Sequence, residues 1–160
     1  MYKRQSYGLA VWGQCLSKYY VTIERLQKRI IRAIKFADFN AVLKPLMKEL
    51  QILSIKDLYL TKIASLMWDF DHGLFRQTLS SLFSRRSSVH NVNLRNASGG
   101  QLYTATRYNT SYGKNSFSLI GSKLLNDLKN SGIFNYADSK LVFMKKYKNC
   151  LLYTSPSPRD

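Results

Sequence analysis

The chain has 160 residues, with 25 basic and 9 acidic side chains and a formal net charge of +16. This excess favours a polyanionic partner, with nucleic acid ahead of an anionic membrane surface. The sequence shows no apolar run long enough to cross a bilayer and no signal peptide, and its two cysteines are too few for a disulfide framework or a cysteine zinc site. We therefore expect an intracellular protein.

The two ends of the chain resemble translated sequencing adapter. Residues 1–5 back-translate, with a GTG start, to GTGTATAAGAGACAG, and Cys150–Thr154 back-translate to TGTCTCTTATACACA, which contains the reverse complement of nearly all of the first string. Both strings resemble the transposase mosaic-end adapter, and residues 155–160 resemble the adapter sequence that follows it. We predict that residues 1–5 and 150–160 are adapter-like scars without structure. The remaining residues 6–149 carry a net charge of +14.

The first strong element is an amphipathic helix over about Lys18–Lys35. At 100° per residue, its apolar and basic side chains fall on opposite stripes. The apolar stripe holds Tyr19, Ile23, Leu26, Ile30, Ala33 and Ile34, and the basic stripe holds Arg25, Lys28, Arg29, Arg32 and Lys35. We expect the apolar stripe to pack on a core and the basic stripe to contact a phosphate backbone without reading bases. A solvated charged face without a ligand is the alternative.

Further helices are predicted before residue 84. A short helix covers about Ala41–Leu50, and Ser54–Asp57 resembles a variant capping box for a third helix that ends at Gly73. The expected buried positions of this third helix are Ile55, Leu58, Tyr59, Ile63, Leu66, Met67 and Phe70. A weaker helix covers about Phe75–Phe83.

Residues 84–113 are rich in Ser, Asn, Thr and Gly, which is typical of a linker or an irregular lobe with at most short strands, such as one over Gln101–Arg107. In the C-terminal segment, residues 114–149, we predict a strand over Asn115–Ile120 and a short helix over Ser122–Lys129 that Gly132 closes. Asp138 or Ser139 caps a last amphipathic helix, which carries Leu141, Met144 and Tyr147. The predicted fold class is mainly α, with a helical bundle over residues 6–83, minor β-structure and short C-terminal helices.

No pattern in the sequence predicts catalysis. Tyr136–Ser139 resembles the Tyr-Ala-Asp-Asp turn of polymerase palms, but the second aspartate is missing and the first is explained as a helix N-cap. Asp69 and Asp71 are two residues apart on a helix and point in different directions, so we interpret them as the polar rim of a helix end. His72 and His90 lack the spacing of a zinc site. We expect no catalytic residue, no metal ligand and no cofactor.

Six motifs, in order, resemble those of one protein family. Tyr7–Gly13 is similar to YG-x-x-x-WG, Ile23–Ile34 to an LQKR-x-x-R-x-I helix, Leu50–Leu58 to L-x-IL-x-L-x-DL, His90–Arg95 to H-x-x-NTR, Thr110–Ser116 to T-x-x-G-x-x-S, and Gly121–Leu128 to G-x-x-x-WN-x-L. The family is the Jockey-like reverse transcriptases of non-long-terminal-repeat retrotransposons, in the region after the palm. The resemblance covers nearly all of residues 6–149, although Leu125 stands where the family usually has tryptophan.

The resemblance implies a non-catalytic part of an RNA-directed DNA polymerase that is often joined to an endonuclease. Residues 6–83 would be a thumb-like region, and the palm with its Mg²⁺-binding aspartates would lie upstream. The implied partners are an RNA–DNA or DNA duplex and the remainder of the parent polymerase, with no membrane, in a ribonucleoprotein of nucleus and cytoplasm. The basic stripe would hold the template–primer duplex. Two alternatives are a self-standing basic helical nucleic-acid-binding module and a membrane-surface protein whose apolar stripe is not packed on a core.

Overall fold

The computed structural model describes residues 8–13, 17–75, 81–85, 103–104 and 108–154. The helices are α1 (Leu9–Trp12), α2 (Ser17–Ile34), α3 (Leu43–Glu49), α4 (Ile55–Asp71), α5 (Ser111–Lys114), α6 (Phe117–Asn130) and α7 (Lys140–Thr154). This confirms the predicted mainly α fold class. The β-structure seen among the described residues is an isolated antiparallel bridge between Arg85 and Tyr103, so the predicted minor β-structure is not shown as a strand.

The chain divides into two compact units. The first unit contains residues 1–62 and 145–160, and the second contains residues 63–144. The boundaries therefore fall inside α4 and α7, whereas composition suggested boundaries near residues 83 and 113. Composition reports local properties of the chain, but a compact unit is defined by contacts between segments that are distant in sequence.

The core of the first unit is held together by a side-chain amide as well as by apolar packing. Its buried apolar residues are Leu9, Ile31, Leu43, Leu53, Tyr59 and Tyr147. Gln27 of α2 donates to the carbonyl of Leu53 at 2.8 Å and accepts from the N–H of Ile55 at 3.2 Å. Between these two positions, the hydroxyl of Ser54 accepts from the N–H of Asp57 at 3.1 Å and donates to its carboxylate at 2.7 Å. The predicted N-cap at Ser54 is therefore confirmed, but the Asp57 carboxylate accepts from the Ser54 hydroxyl, and this differs from the reciprocal bond to the backbone N–H in a capping box.

Gly13 follows α1 at a point where no side chain fits. A Cβ atom at this position would lie 2.3 Å from Cδ2 of Tyr59 and 2.5 Å from the carbonyl oxygen of Leu9. Rotation of the tyrosine ring could relieve the first contact, but the second atom belongs to the backbone. The site therefore requires glycine because of close approach.

We expect Gly13→Ala to lower the free energy of unfolding by about 1–3 kcal/mol, because the added methyl group overpacks this site. Gly121→Ala is the comparison, since its Cβ would meet Sδ of Met67 at 2.7 Å, which is near the end of a flexible side chain. Urea denaturation followed by circular dichroism measures both losses. The prediction is contradicted if Gly121→Ala costs as much as Gly13→Ala.

The burial pattern predicted for α4 is confirmed in part. Tyr59, Ile63 and Met67 are buried, and the other four predicted positions are half-buried. The helix ends as predicted at Gly73, which has a φ of +72°, a conformation that favours glycine.

In the second unit, α6 replaces both a predicted strand and a shorter predicted helix. The hydroxyl of Ser116 accepts from the N–H of Leu119 at 3.4 Å and caps the helix. The strand predicted over Asn115–Ile120 is therefore wrong, because a weak alternation of so few residues fits a helical turn equally well once a cap precedes it. The helix predicted over Ser122–Lys129 is confirmed, and Gly132 follows it with a φ of +71°.

The last helix, α7, starts after Ser139, whose hydroxyl accepts from the N–H of Val142 at 3.5 Å. Of the two predicted caps, Ser139 therefore makes the capping contact. Of the apolar residues that this predicted amphipathic helix carries, Tyr147 is buried, but Leu141 is 83% exposed. The helix turns its Phe143 and Tyr147 side inward, and Leu141 lies on the opposite side.

The adapter-like end of the chain is helical as far as Thr154, so the prediction that it has no structure is wrong for residues 150–154. Leu151 and Leu152 are half-buried, and the ammonium of Lys48 lies 4.1 Å from the ring centroid of Tyr153. Apolar side chains in helical register continue α7 whatever their origin, so the adapter resemblance stays a prediction. Residues 1–5 and 155–160 lie outside the described residues.

Three sequence predictions fall mostly outside the described residues. They are the helix over Phe75–Phe83, the strand over Gln101–Arg107 and the motif His90–Arg95. At the end of the first of these, the described residues Ser81 and Leu82 form a turn.

Candidate nucleic-acid interface

The basic side chains of α2 are unequally exposed. Arg25 and Arg29 are exposed, whereas Lys28, Arg32 and Lys35 are half-buried. Arg25 and Arg29 are four residues apart, so they project from the same face of α2, about 6 Å apart along its axis. The structure thus brings the five predicted residues to one side of α2 and its end, and two of them dominate the exposed surface.

The two lysines of the basic stripe are paired with carboxylates. Lys28 Nζ lies 3.6 Å from Glu24 Oε1, one turn earlier on α2, and Lys35 forms an ion pair with Glu49 at the end of α3. Surface ion pairs contribute about 0–1 kcal/mol, so neither pair prevents its lysine from meeting a phosphate. Each carboxylate nevertheless cancels part of the local positive charge. The positive potential is therefore centred on the arginines.

Arg32 links α2 to the segment that follows it. Its Nε and Nη2 donate to the carbonyl of Ala41 at 3.4 and 3.3 Å, and its guanidinium carbon lies 5.6 Å from the ring centroid of Phe39. A guanidinium group carries five N–H donors, so others remain for a phosphate oxygen. Arg32 is therefore a structural residue and a candidate contact at once.

Two phenylalanines project from the surface beyond α2. Phe36 is 98% exposed and Phe39 is 77% exposed. Phe36 has a φ of +48°, and the N–H of Ala37 that follows it donates to the carbonyl of Arg32 at 3.0 Å. This is the left-handed position of a helix C-terminus, which is usually glycine. A bulky residue is strained there, and its ring makes little contact with the protein.

The predicted burial of the apolar stripe of α2 is wrong. Its larger side chains Tyr19, Leu26, Ile30 and Ile34 are 51–63% exposed, Ala33 is exposed, and Ile23 is half-buried. The buried side of α2 is instead centred on Ile31, which is 1% exposed. The physical reason is that Gln27 lies between the apolar and the basic stripe and makes two hydrogen bonds to the start of α4. These bonds hold the side of α2 that contains Gln27 against α4, so the apolar stripe does not face the core. A polar side chain has decided the rotation of an amphipathic helix.

The second unit contains a buried charged cluster that the sequence analysis did not predict. The side chain of Asp71 has no exposed surface, and its Oδ1 accepts from the hydroxyl of Tyr103 at 2.6 Å and from the ammonium of Lys129 at 3.0 Å. Three aromatic ring centroids, those of Tyr103, Phe134 and Tyr136, lie 5.2–5.4 Å from the same ammonium. The pair is thus enclosed by rings that contribute cation–π attraction.

The environment shifts the pKa values of this cluster in ways that keep Asp71 ionised. Burial raises the pKa of Asp71, but hydrogen bonds from Tyr103, Tyr136 and Lys129, together with the Lys129 charge, leave it below the usual 3.8. Burial lowers the pKa of Lys129, although Asp71 partly restores it. Burial, and then Asp71, raise the pKa of Tyr136 to about 12. The phenols therefore remain protonated donors at neutral pH.

The two aspartates at the end of α4 have separate partners, as their spacing predicted. Asp69 forms an ion pair with Lys140, whereas Asp71 pairs with Lys129. The interpretation of Asp71 as part of a polar rim is wrong, because this carboxylate is buried. The ring of His72 stacks on Trp68 at a centroid separation of 3.7 Å. Within the described ranges, no group of three His, Cys, Asp or Glu side chains is arranged to hold a metal ion.

Asn126 of α6 lies in the motif Gly121–Leu128, but its buried hydrogen-bonding role was not predicted from the sequence. It is 8% exposed, its Oδ1 accepts from the N–H of Tyr103 at 2.9 Å, and its Nδ2 donates to the carbonyl of Tyr103 at 2.9 Å. Asn126 thereby holds the residue whose hydroxyl reaches Asp71. The sequence does contain an indication of this role, because Asn126 lies between Leu125 and Leu128, which are core positions. A polar side chain among core positions needs buried hydrogen-bond partners.

Among the described residues, no helix is both long enough and apolar enough to span a membrane. No protein-family model, curated protein or solved structure matches this chain.

Proposed function

We propose that this chain is a non-catalytic part of a retrotransposon reverse transcriptase that binds the template–primer duplex through its phosphate backbone. The observation that carries the proposal is the pair of exposed arginines, Arg25 and Arg29, on α2 in a chain with a net charge of +16. We infer the parent enzyme, a reverse transcriptase, from the resemblance of the sequence motifs. Its catalytic Mg²⁺ would be held by the upstream palm, and the complex would occupy nucleus and cytoplasm as a ribonucleoprotein.

The spacing of the arginines suits a strand of phosphates. Arg25, Arg29 and Arg32 span seven residues of helix, or about 10 Å along the axis. Phosphates of one strand are spaced about 3.4 Å apart along a duplex axis, so the row covers about three of them. Contacts of this kind position the duplex and carry no sequence information. We therefore expect binding without base preference.

In this proposal the exposed apolar stripe of α2, formed by Tyr19, Leu26, Ile30 and Ile34, packs on the remainder of the parent polymerase. A stripe of large apolar side chains that are more than half exposed typically marks an interaction surface. The alternative of a self-standing nucleic-acid-binding module uses the same arginines but leaves this stripe without a role.

Replacement of both exposed arginines should weaken duplex binding and flatten its salt dependence. For Arg25→Gln/Arg29→Gln in the full chain, we expect the slope of log K against log salt to lose about 0.9 per phosphate contact, or about two in all. Fluorescence anisotropy with a labelled RNA–DNA hybrid, over a range of salt concentrations, measures the slope.

Two control variants separate this site from general charge. Lys114→Gln/Lys123→Gln removes the same charge from exposed positions on α5 and α6 and should change the slope less. Glu24→Gln/Glu49→Gln removes the carboxylates that pair with Lys28 and Lys35 and should tighten binding. If the double-lysine variant and the double-arginine variant reduce the salt-dependence slope equally, α2 is not the interface. If the unmodified chain does not bind the hybrid, the proposal fails.

The exposed stripe also favours a second candidate function, which is attachment to an anionic membrane surface. An interfacial helix combines a basic face with exposed apolar side chains, and α2 has both. Sedimentation with phosphatidylserine vesicles, with and without excess RNA–DNA hybrid, distinguishes the two functions. Vesicle binding that the hybrid does not displace would favour the membrane, and displacement would favour nucleic acid.

A further inference from the structure

We propose that Phe36 and Phe39 stack on unpaired bases, so that the preferred ligand of α2 has a single-stranded segment beside its duplex. This inference rests on the proposed function and names the ligand class more closely. It concerns contacts with bases, whereas the arginines contact only phosphates.

Phe36 and Phe39 follow the end of α2, and the ring of Phe39 lies close to Arg32, the last arginine of the row. Phe36 follows the last turn of α2, so it is seven residues, or about 10 Å of helix, beyond Arg29. Phe36 is 98% exposed and Phe39 is 77% exposed. Phe36 also occupies a left-handed position, with a φ of +48°. Glycine would relieve this strain, so the structure itself gives no reason for a large aromatic residue there.

The positive charges near Phe36 and Phe39 favour nucleic acid as the ligand of this surface. Arg32 lies over Phe39, with its guanidinium carbon 5.6 Å from the ring centroid, and Arg25 and Arg29 continue the positive charge along α2. A second copy of this chain would bring two such basic stripes together and be repelled. Single-stranded nucleic acid offers both phosphates for the arginines and base faces for the rings, and every base has such a face.

The experiment compares blunt and overhanging ligands. Anisotropy of the full chain is measured with a blunt RNA–DNA hybrid and with the same hybrid carrying a single-stranded oligothymidine extension. We expect the extension to tighten binding roughly tenfold for each base that stacks. Phe36→Gly/Phe39→Ala should lose this advantage and keep the affinity for the blunt hybrid. Glycine suits the positive φ of position 36, so we expect the Phe36→Gly single variant to keep the circular dichroism spectrum of the unmodified chain while it loses part of the advantage.

Conservative variants test for stacking itself. Phe36→Trp should keep the advantage, and its added indole fluorescence should be quenched by the extension. Phe36→Leu/Phe39→Leu keeps apolar surface but has no ring, and it should lose the advantage. If the leucine variant retains it, or if these rings instead drive binding to phosphatidylserine vesicles, the inference is overturned. Equal affinity for blunt and extended hybrids overturns the inference alone, whereas binding of neither hybrid overturns the proposed function as well.

Discussion

Lys129→Met is expected to lower the free energy of unfolding by about 3–5 kcal/mol, because it leaves the buried carboxylate of Asp71 without its ion-pair partner. Methionine keeps most of the side-chain volume within the ring of aromatic residues, so the loss reports charge and hydrogen bonding more than packing. Chemical denaturation monitored by circular dichroism measures the change.

Two controls accompany this variant. Lys123→Met lies on the same helix at an exposed position and should change stability by no more than about 0.5 kcal/mol. Asp71→Leu/Lys129→Met removes both charges and should be more stable than Lys129→Met alone, since buried ion pairs are often replaced by apolar residues at little cost. A double variant less stable than the single variant would contradict this account of the cluster.

Asn126→Leu is expected to lower the free energy of unfolding by about 2–6 kcal/mol, because it removes the hydrogen-bond partners of the N–H and the carbonyl of Tyr103. A buried polar group left without a hydrogen bond costs about 1–3 kcal/mol, and this change creates two. Leucine has the same branched shape as asparagine but is larger, so no cavity forms and overpacking adds to the loss.

The local effect can be read from hydrogen exchange. The amide of Tyr103 should exchange faster in Asn126→Leu under native conditions, in which regions of low local stability open first. Asn130→Leu changes the same residue type at an exposed position at the end of α6 and should leave both stability and that amide unaffected. Unchanged protection of Tyr103 in the Asn126 variant would show that the two hydrogen bonds do not hold this segment.

The motifs that resemble reverse transcriptases have structural roles wherever the structure describes them. Gly13 admits the ring of Tyr59, Gln27 holds the segment before α4, and Ser116 caps α6. Asn126 fixes Tyr103. None of these residues is arranged for chemistry. The motifs therefore constrain a fold, and the proposed binding residues Arg25 and Arg29 have to be argued from exposure and charge.

The sequence by itself determined the local features of this protein. The mainly α class, the start of α4 at Ser54, the start of α7 at Ser139 and the helix ends at Gly73 and Gly132 all follow from residues within four positions of each other. Such signals are local because a cap satisfies backbone groups of the adjacent turn. The predicted strand over Asn115–Ile120 failed where the local signal was weakest.

Only the tertiary structure decided which side of α2 is buried and what surrounds Asp71. The first depends on a hydrogen bond between residues 26 apart in sequence, and the second on an ion pair between residues 58 apart. Periodicity shows that a helix has two faces, but burial also depends on which polar side chains find partners across the unit. Gln27 forms its hydrogen bonds with the start of α4. In this orientation of α2, both the apolar stripe and the arginines Arg25 and Arg29 are exposed to solvent.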